Sequence, residues 1–144
     1  MIAIASDHGG YTLKQTLIDH LTAQGIQVED LGCHGEAVDY PDYAEKLCRG
    51  VVAGTYERGI LVCGTGIGMS IAANKIPGIR AALCADCYSA EMSRQHNDAN
   101  VLCLGGRTLG PELAKRIADT YLSTGFSGVE HHCHRIAMIK DLEK

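Results

Sequence analysis

Aromatic residues are scarce in this chain: among 144 residues there are no Trp, one Phe and six Tyr. Proteins that bind single-stranded nucleic acids stack bases on aromatic rings, and so few rings offer no such platform. The net charge is −4 and no basic stripe is visible, so we expect no nucleic-acid partner. No apolar run approaches the roughly 18 residues of a membrane span, so we expect no membrane segment either.

Cysteine, in contrast, is abundant, with seven residues spread over the whole chain. The number of cysteines is odd. We expect no signal peptide before them, because the sequence begins directly with a strand-like segment. We therefore expect reduced thiols and a cytoplasmic protein. Cys84 and Cys87 have the spacing of a redox motif, although the usual flanking Trp or Pro is absent. A thiol redox protein is one alternative that this spacing leaves open.

Short apolar runs alternate with segments of helical periodicity, which is typical of an α/β protein. Strands are predicted at about 2–5, 26–31, 60–63, 78–84 and 101–104, and helices at about 11–23, 39–53, 69–75, 86–95, 108–122 and 130–143. The pattern predicts a single three-layer, Rossmann-like domain over 1–144, with a five-stranded parallel sheet and helices on both faces. The last helix follows no strand, so we expect it to pack across the domain or on a second subunit.

A strand, a glycine-rich turn and a helix follow one another between residues 58 and 75. The apolar run 60–62 leads into Cys63, and the next residues alternate with Gly64, Gly66 and Gly68. A residue at the carboxyl end of a parallel strand lies where such sheets form their active sites. A thiol under helix-start amides ionises readily and can act as a base or nucleophile. The alternative is a small apolar residue that merely ends a strand.

Two more polar clusters follow predicted strands. Asp7 and His8 follow the first strand, and Arg107 follows Gly105-Gly106 after the fifth. Parallel strands end at one edge of the sheet, so both clusters should converge with Cys63. Asp7 can orient an imidazole, and Arg107 can bind a phosphate or carboxylate unless it forms only a surface ion pair.

Residues 130–134 read Glu-His-His-Cys-His, which are metal-ligand residue types. His131 and His134 are three residues apart, so they can share one helix face. No second group of ligands stands at metal-site spacing elsewhere in the chain. We therefore expect no metal, and favour a partly protonated patch that attracts an anion.

Taken together, these motifs resemble the sugar-phosphate isomerase family of ribose-5-phosphate isomerase B and galactose-6-phosphate isomerase. The matching stretches are SDHGG at 6–10, DYPDYA at 39–44, CGTGIGMSIAANK at 63–75, SRQHNDANVL at 93–102 and LGGR at 104–107. They occur in order and without a large gap from residue 2 to about 122. The ribose-5-phosphate branch is the closer match, because Cys63 and the pair His96-Asn97 stand as in that branch.

The resemblance implies an aldose–ketose isomerase that works through an enediolate, with neither metal nor organic cofactor. Cys63 would be the base, Thr65 and the turn amides would hold the oxyanion, and His96 would open the sugar ring. The residues it implies as substrate contacts are Asp7, His8, Tyr40, Gly64, Gly66, Ile67, Gly68, Asn97 and Arg107.

It also implies a homodimer, or a tetramer of such dimers, in which arginines of the neighbour complete each active site. Arg107 matches one of these arginines. The tail departs from the family's Gly-Gly-Arg-His-x-x-Arg pattern, because Glu130 stands at the first arginine. The second matches His134, or Arg135 if the loop is one residue longer, and we expect one of these two to complete the phosphate site.

The sequence is compatible with more than one sugar phosphate as substrate. Ribose 5-phosphate is the leading prediction, and the altered tail keeps allose 6-, galactose 6- and erythrose 4-phosphate as alternatives. A non-catalytic sugar-phosphate-binding domain is an alternative of another class, because doubly wound folds also serve as sensors.

Overall fold

The computed structural model describes all residues, 1–144, as alternating strands and helices. The strands are β1 (Ile2–Ser6), β2 (Val28–Asp30), β3 (Arg58–Cys63), β4 (Ala81–Leu83) and β5 (Val101–Gly105). The helices are α1 (Tyr11–Ala23), α2 (Tyr40–Val52), α3 (Ile67–Ala73), α4 (Cys87–Gln95), α5 (Pro111–Ser123) and α6 (Glu130–Asp141). A single 3-10 turn, His8–Gly10, joins β1 to α1.

All five strands are parallel, in the order β2-β1-β3-β5-β4. Side chains alternate across the sheet, so Ile2 and Ile4 of β1 face one core while Ala3 and Ala5 face the other. The first core packs mainly under α1 and α5, and the second under α2 and α3. The predicted three-layer α/β fold is therefore confirmed, and no helix is both long and apolar enough to cross a bilayer.

The edge strands are shorter than the sequence predicted. Residues 26–31 and 78–84 were expected to be strands, but only three residues of each pair with the sheet. At the amino-terminal end of each run the backbone bonds outside the sheet: the amide of Ile26 donates to the Leu21 carbonyl and that of Ile79 to the Ile76 carbonyl, both at 3.1 Å. Before β4, the amide of Arg80 donates to Asn100 Oδ1 at 2.8 Å, and Gly78 turns the chain at φ +91°. In both cases the apolar run in the sequence is therefore longer than the strand that pairs with the sheet.

The C-terminal helix α6 starts at Glu130, as predicted, but its own chain buries none of its residues. Its exposed apolar side chains include Met138 and Ile139, and Leu142 follows just after its end. The amide of Gly78 donates to Glu143 Oε1 at 2.9 Å and ties down this end of the chain. We expected the last helix to pack either across its own domain or on a second subunit. Within its own domain, the apolar side chains of α6 stay uncovered.

Lys14 is a fully buried cation on α1. Its Nζ donates to Asp30 Oδ1 at 2.6 Å and to the Cys33 carbonyl at 2.7 Å, which fixes the end of β2 and the loop behind it. Burial, the largest single effect, raises the pKa of Asp30. The hydrogen bond from Lys14, the Gly32 amide and nearby positive charge outweigh burial, so the pKa of Asp30 is lowered overall.

We expect Lys14→Met to lower the free energy of unfolding by about 2–4 kcal/mol at pH 7, because the Asp30 carboxylate and the Cys33 carbonyl lose their partner. The pKa of Asp30 is lower in the folded chain, so its stabilising contribution is present above its unfolded pKa of about 4. That contribution is lost as pH falls through the folded pKa. Urea unfolding at pH 7 and pH 3 should therefore give a smaller difference between wild type and variant at pH 3.

Lys46→Met is the matched control, because Lys46 is exposed and its Nζ reaches only the Leu31 carbonyl, at 3.3 Å. We expect this control to change the free energy of unfolding by less than about 0.5 kcal/mol. Equal losses for the two variants would contradict the role assigned to the buried Lys14.

Candidate active site

The end of β3 places the Cys63 thiol under a backbone amide. Cys63 is 5% exposed, and the amide of Gly66 donates to its Sγ at 3.1 Å. Gly66 makes this turn at φ +80°, where a Cβ would also lie 2.6 Å from Leu83 Cδ1. The turn therefore requires glycine at this position. Sequence and structure agree that α3 follows, although it begins at Ile67 rather than Met69.

The turn holds free donors beside this thiol. Two amides of the turn have hydrogen-bond acceptors within the turn: that of Gly66 donates to Cys63 Sγ, and that of Ile67 donates to Thr65 Oγ1 at 3.2 Å. The amides of Gly64, Thr65 and Gly68 have no acceptor within the chain. Three unused backbone donors next to a cysteine form an arrangement that can stabilise an oxyanion.

The loops after β1, β3 and β5 meet at this edge of the sheet. The amide of Gly106 donates to the Cys63 carbonyl at 2.8 Å, and the amide of Arg107 donates to the Gly64 carbonyl at 2.9 Å. A Cβ on Gly9 would lie 3.2 Å from the Gly64 nitrogen and 3.4 Å from Arg107 Cζ. The structure thus brings together the three clusters that the sequence placed at strand ends.

Asp7 and Arg107 place one acidic and one basic side chain beside the turn. Asp7 is 8% exposed and its Oδ1 accepts the Gly10 amide at 3.1 Å, which caps the 3-10 turn. The Arg107 guanidinium lies against Gly64, where a Cβ would be 3.3 Å from Nη1. The resemblance matched Arg107 to an arginine of the neighbour, whereas here it faces the turn of its own chain.

His8 and Tyr40 lie at the rim of this edge. Tyr40 is the first residue of α2, and its ring covers Gly68 so closely that a Cβ there would lie 2.8 Å from the Tyr40 hydroxyl. His8 is exposed, and its Nδ1 accepts the Val38 amide at 3.4 Å. The start of α2 therefore brings the Tyr40 ring to the glycine turn, and the loop between β2 and α2 contacts His8.

His96 and Asn97 lie at the other end of the sheet. The register pairs Cys63 with Gly105, the last residue of β5, and Gly59 with Val101, the first. Four steps along β5 span roughly 13 Å. Since His96 and Asn97 precede β5, one chain does not bring them to its own Cys63.

Two arginines that the sequence did not single out hold this second region in place. Arg80 Nε donates to the Asn97 carbonyl at 2.8 Å. Arg94, which is 5% exposed, donates from Nη1 to Asp98 Oδ1 and to the Ala99 carbonyl, both at 2.8 Å. The loop that carries His96 is therefore rigidly supported, and the acceptors are mostly backbone carbonyls, which no motif reveals.

Comparison with known proteins decides the family. The family model described as ribose/galactose isomerase matches residues 2–139. The chain belongs to the ribose/galactose isomerase family. The predicted family, fold and enzyme class, an aldose–ketose isomerase, are confirmed by this match and by the relatives below.

Three of the relatives illustrate the similarity. Ribose-5-phosphate isomerase B of Escherichia coli (strain K12) is 46% identical over 144 residues, covering 99% of this chain and 96% of that protein. D-erythrulose-4-phosphate isomerase of Pectobacterium atrosepticum is 48% identical over 129 residues, covering 88% and 85%. The solved ribose-5-phosphate isomerase B of Clostridium thermocellum has a TM-score of 0.96 and 52% identity, covering 99% and 96%. Relatives with similar sequence identity to this chain are thus named for different sugar phosphates.

The histidine-rich end of α6 lies at the His96 end of this isomerase. The His96 and His132 ring centroids are 4.3 Å apart, whereas His134 and Arg135 are exposed and contribute no hydrogen bond or ion pair within the chain. No three His, Cys, Asp or Glu side chains are grouped so as to hold a metal ion. The tail residues predicted to bind phosphate therefore face outward, away from their own Cys63.

The redox alternative is disfavoured by the burial of one of its two cysteines. All seven cysteines are free. Cys84 is buried after β4, and burial raises the pKa of its thiol to about 11, so that the reactive thiolate is disfavoured.

A cavity of about 520 Å³ opens between the start of β4 and the end of α6. It is lined by Asn97 and Arg80, with Ile139 and Leu142 on the α6 side, and Cys63 is not part of it. The concave surface at Asn97 and the Cys63 turn are therefore separate parts of one chain.

Proposed function

We propose that this isomerase interconverts ribose 5-phosphate and ribulose 5-phosphate through an enediolate, with Cys63 as the base. The observation that carries the proposal is the Cys63 thiol beneath the Gly66 amide, at 3.1 Å, beside three unused amides. Proton abstraction next to a carbonyl needs a base and a site for the negative charge that develops on oxygen. The glycine turn supplies both within a few residues.

In the proposed reaction, the Cys63 thiolate removes the proton from C2 of the open-chain aldose. The electron pair of that C–H bond forms the C1–C2 double bond, and the C1 carbonyl oxygen becomes negative. The amides of Gly64, Thr65 and Gly68, with the Thr65 hydroxyl, stabilise this oxygen. The O2 proton then moves to O1, and the Cys63 thiol returns its proton to C1, which leaves a carbonyl at C2.

Charge supports a phosphorylated substrate at the Cys63 edge. Arg107 is an exposed guanidinium beside Gly64, and its planar donors suit a phosphate or carboxylate. Glu130 would repel a phosphate if it took part in the same site. We therefore assign the second phosphate contact to His134 or Arg135, which are exposed on the same helix.

A second copy of the chain completes the active site in this proposal. His96 would open the sugar ring and Asn97 would bind its hydroxyls, yet both lie at the opposite end of the sheet from their own Cys63. The uncovered apolar side chains of Met138, Ile139 and Leu142 offer a surface for that second copy. A homodimer with two shared sites satisfies both observations.

We expect kcat/KM to be highest for ribose 5-phosphate in a panel with allose 6-phosphate, galactose 6-phosphate, erythrose 4-phosphate and unphosphorylated ribose. Proton transfer through a thiol that exchanges with solvent should also introduce deuterium from D₂O at C1 of ribulose 5-phosphate. Initial rates and proton NMR of the product measure these two properties separately.

Erythrose 4-phosphate is the second candidate substrate, favoured by the 48% identical relative named D-erythrulose-4-phosphate isomerase. A higher kcat/KM for erythrose 4-phosphate would replace ribose 5-phosphate as the substrate while leaving the mechanism intact. A product without deuterium would instead contradict proton transfer by an exchangeable base.

A further inference from the structure

The ring of His96 has one specific contact within its chain. His96 is the exposed residue that immediately follows α4, and no side chain or backbone group hydrogen-bonds to its ring. The His132 ring packs against it with centroids 4.3 Å apart and planes inclined by 34°. An exposed side chain without other contacts changes rotamer freely, so this stacking contact decides where the ring points.

His132 is itself held in place from both sides. The Ser127 hydroxyl lies 2.9 Å from His132 Nδ1, and the Ser127 amide donates to the Gln95 carbonyl at 3.1 Å, next to His96. The His131 ring packs edge-on against His132 at 4.2 Å. A hydrogen bond to Ser127, whose amide is itself bonded to Gln95, and ring contacts with His131 and His96 therefore fix the His132 ring beside the end of α4.

The surroundings also favour an uncharged His132. Partial burial, and then the positive charges of His131, His96 and Arg135, lower the pKa of His132. The Ser127 hydroxyl already accepts the Val129 amide at 3.2 Å, so its own proton is available for Nδ1 of a neutral ring. A neutral ring can support His96 in either protonation state without like-charge repulsion.

We propose that His132 is a positioning residue that holds the His96 imidazole in the orientation needed to open the cyclic sugar. The inference rests on the ring-opening role proposed above for His96. An acid–base group acts only within hydrogen-bond reach of the proton it moves, so a freely rotating His96 would spend most of its time out of position.

We expect His132→Ala to lower kcat for ribose 5-phosphate by about three- to tenfold, the range that one aromatic contact supports. The rate with erythrose 4-phosphate should stay within about twofold, because phosphate on its C4 oxygen prevents a stable ring and no ring opening is needed. His132→Phe keeps a stacking ring and should recover most of the lost rate. Cys133→Ala, at the exposed neighbouring position, is the control and should match wild type on both sugars.

Histidine-ring NMR provides a readout that does not depend on turnover. The His96 ring signals, assigned with His96→Asn, should shift in His132→Ala as the ring current is lost, and stay in place in Cys133→Ala. Equal rate losses on both sugars, no loss, or a His132→Phe variant as slow as His132→Ala would overturn the inference. If His96→Asn left the ratio of the rates with ribose 5-phosphate and erythrose 4-phosphate unchanged, His96 would not open the ring, and the inference would fall with that role.

Discussion

Cys63→Ala is expected to lower kcat for ribose 5-phosphate by at least a factor of about 10², because general acid–base groups contribute roughly 10²–10⁴ to the rate. The amides of the glycine turn and the Arg107 guanidinium are untouched by this change, so substrate affinity should alter little. Initial rates across a range of ribose 5-phosphate concentrations, with isothermal titration of the inactive variant, separate the two effects.

The matched control for this variant is Cys133→Ala, since Cys133 is exposed on α6 while Cys63 is buried at the end of β3. The control should keep full activity. Thermal unfolding should show that Cys63→Ala remains folded, because removing one sulfur atom from the turn leaves only a small cavity. If Cys63→Ala kept more than about a tenth of the wild-type rate, Cys63 would not be the base.

The central strands were predictable from sequence because burial on both faces leaves an unmistakable apolar run. β1 and β5 are buried along their whole length, and so is β3 after Arg58. The edge strands β2 and β4 were predicted too long, because apolar residues before them, such as Ile26 and Ile79, pack against the cores while their amides bond outside the sheet. Hydrophobicity reports burial, whereas strand ends depend on which backbone partners are available.

The Cys63 edge was predictable because one rule suffices: the carboxyl ends of parallel strands lie together. That rule brought Asp7, Cys63 and Arg107 to one place. Family resemblance grouped His96 with them by role, but a helix that returns from β4 must leave its last residues at the amino end of β5. The distance between His96 and Cys63 within one chain therefore follows from the order and direction of the strands and helices, which sequence motifs alone do not reveal.

A mixture of two inactive variants is expected to regain activity if the site is shared between two chains. Cys63→Ala and His96→Asn each damage both sites of a homodimer. In a mixed dimer, one site receives both lesions, and the other combines an intact Cys63 with an intact His96 from the partner. Random reassembly gives mixed dimers half of the time, so about a quarter of wild-type activity should return.

This reassembly experiment tests most directly the claim that Cys63 and His96 of two chains form one isomerase site. The two variants are unfolded in urea, mixed in equal amounts, refolded and assayed with ribose 5-phosphate, beside each variant refolded alone. A shared site should give about a quarter of the activity of refolded wild type in the mixture, and far less in either variant alone. A mixture of proven mixed dimers that is no more active than the separate variants would contradict a shared site.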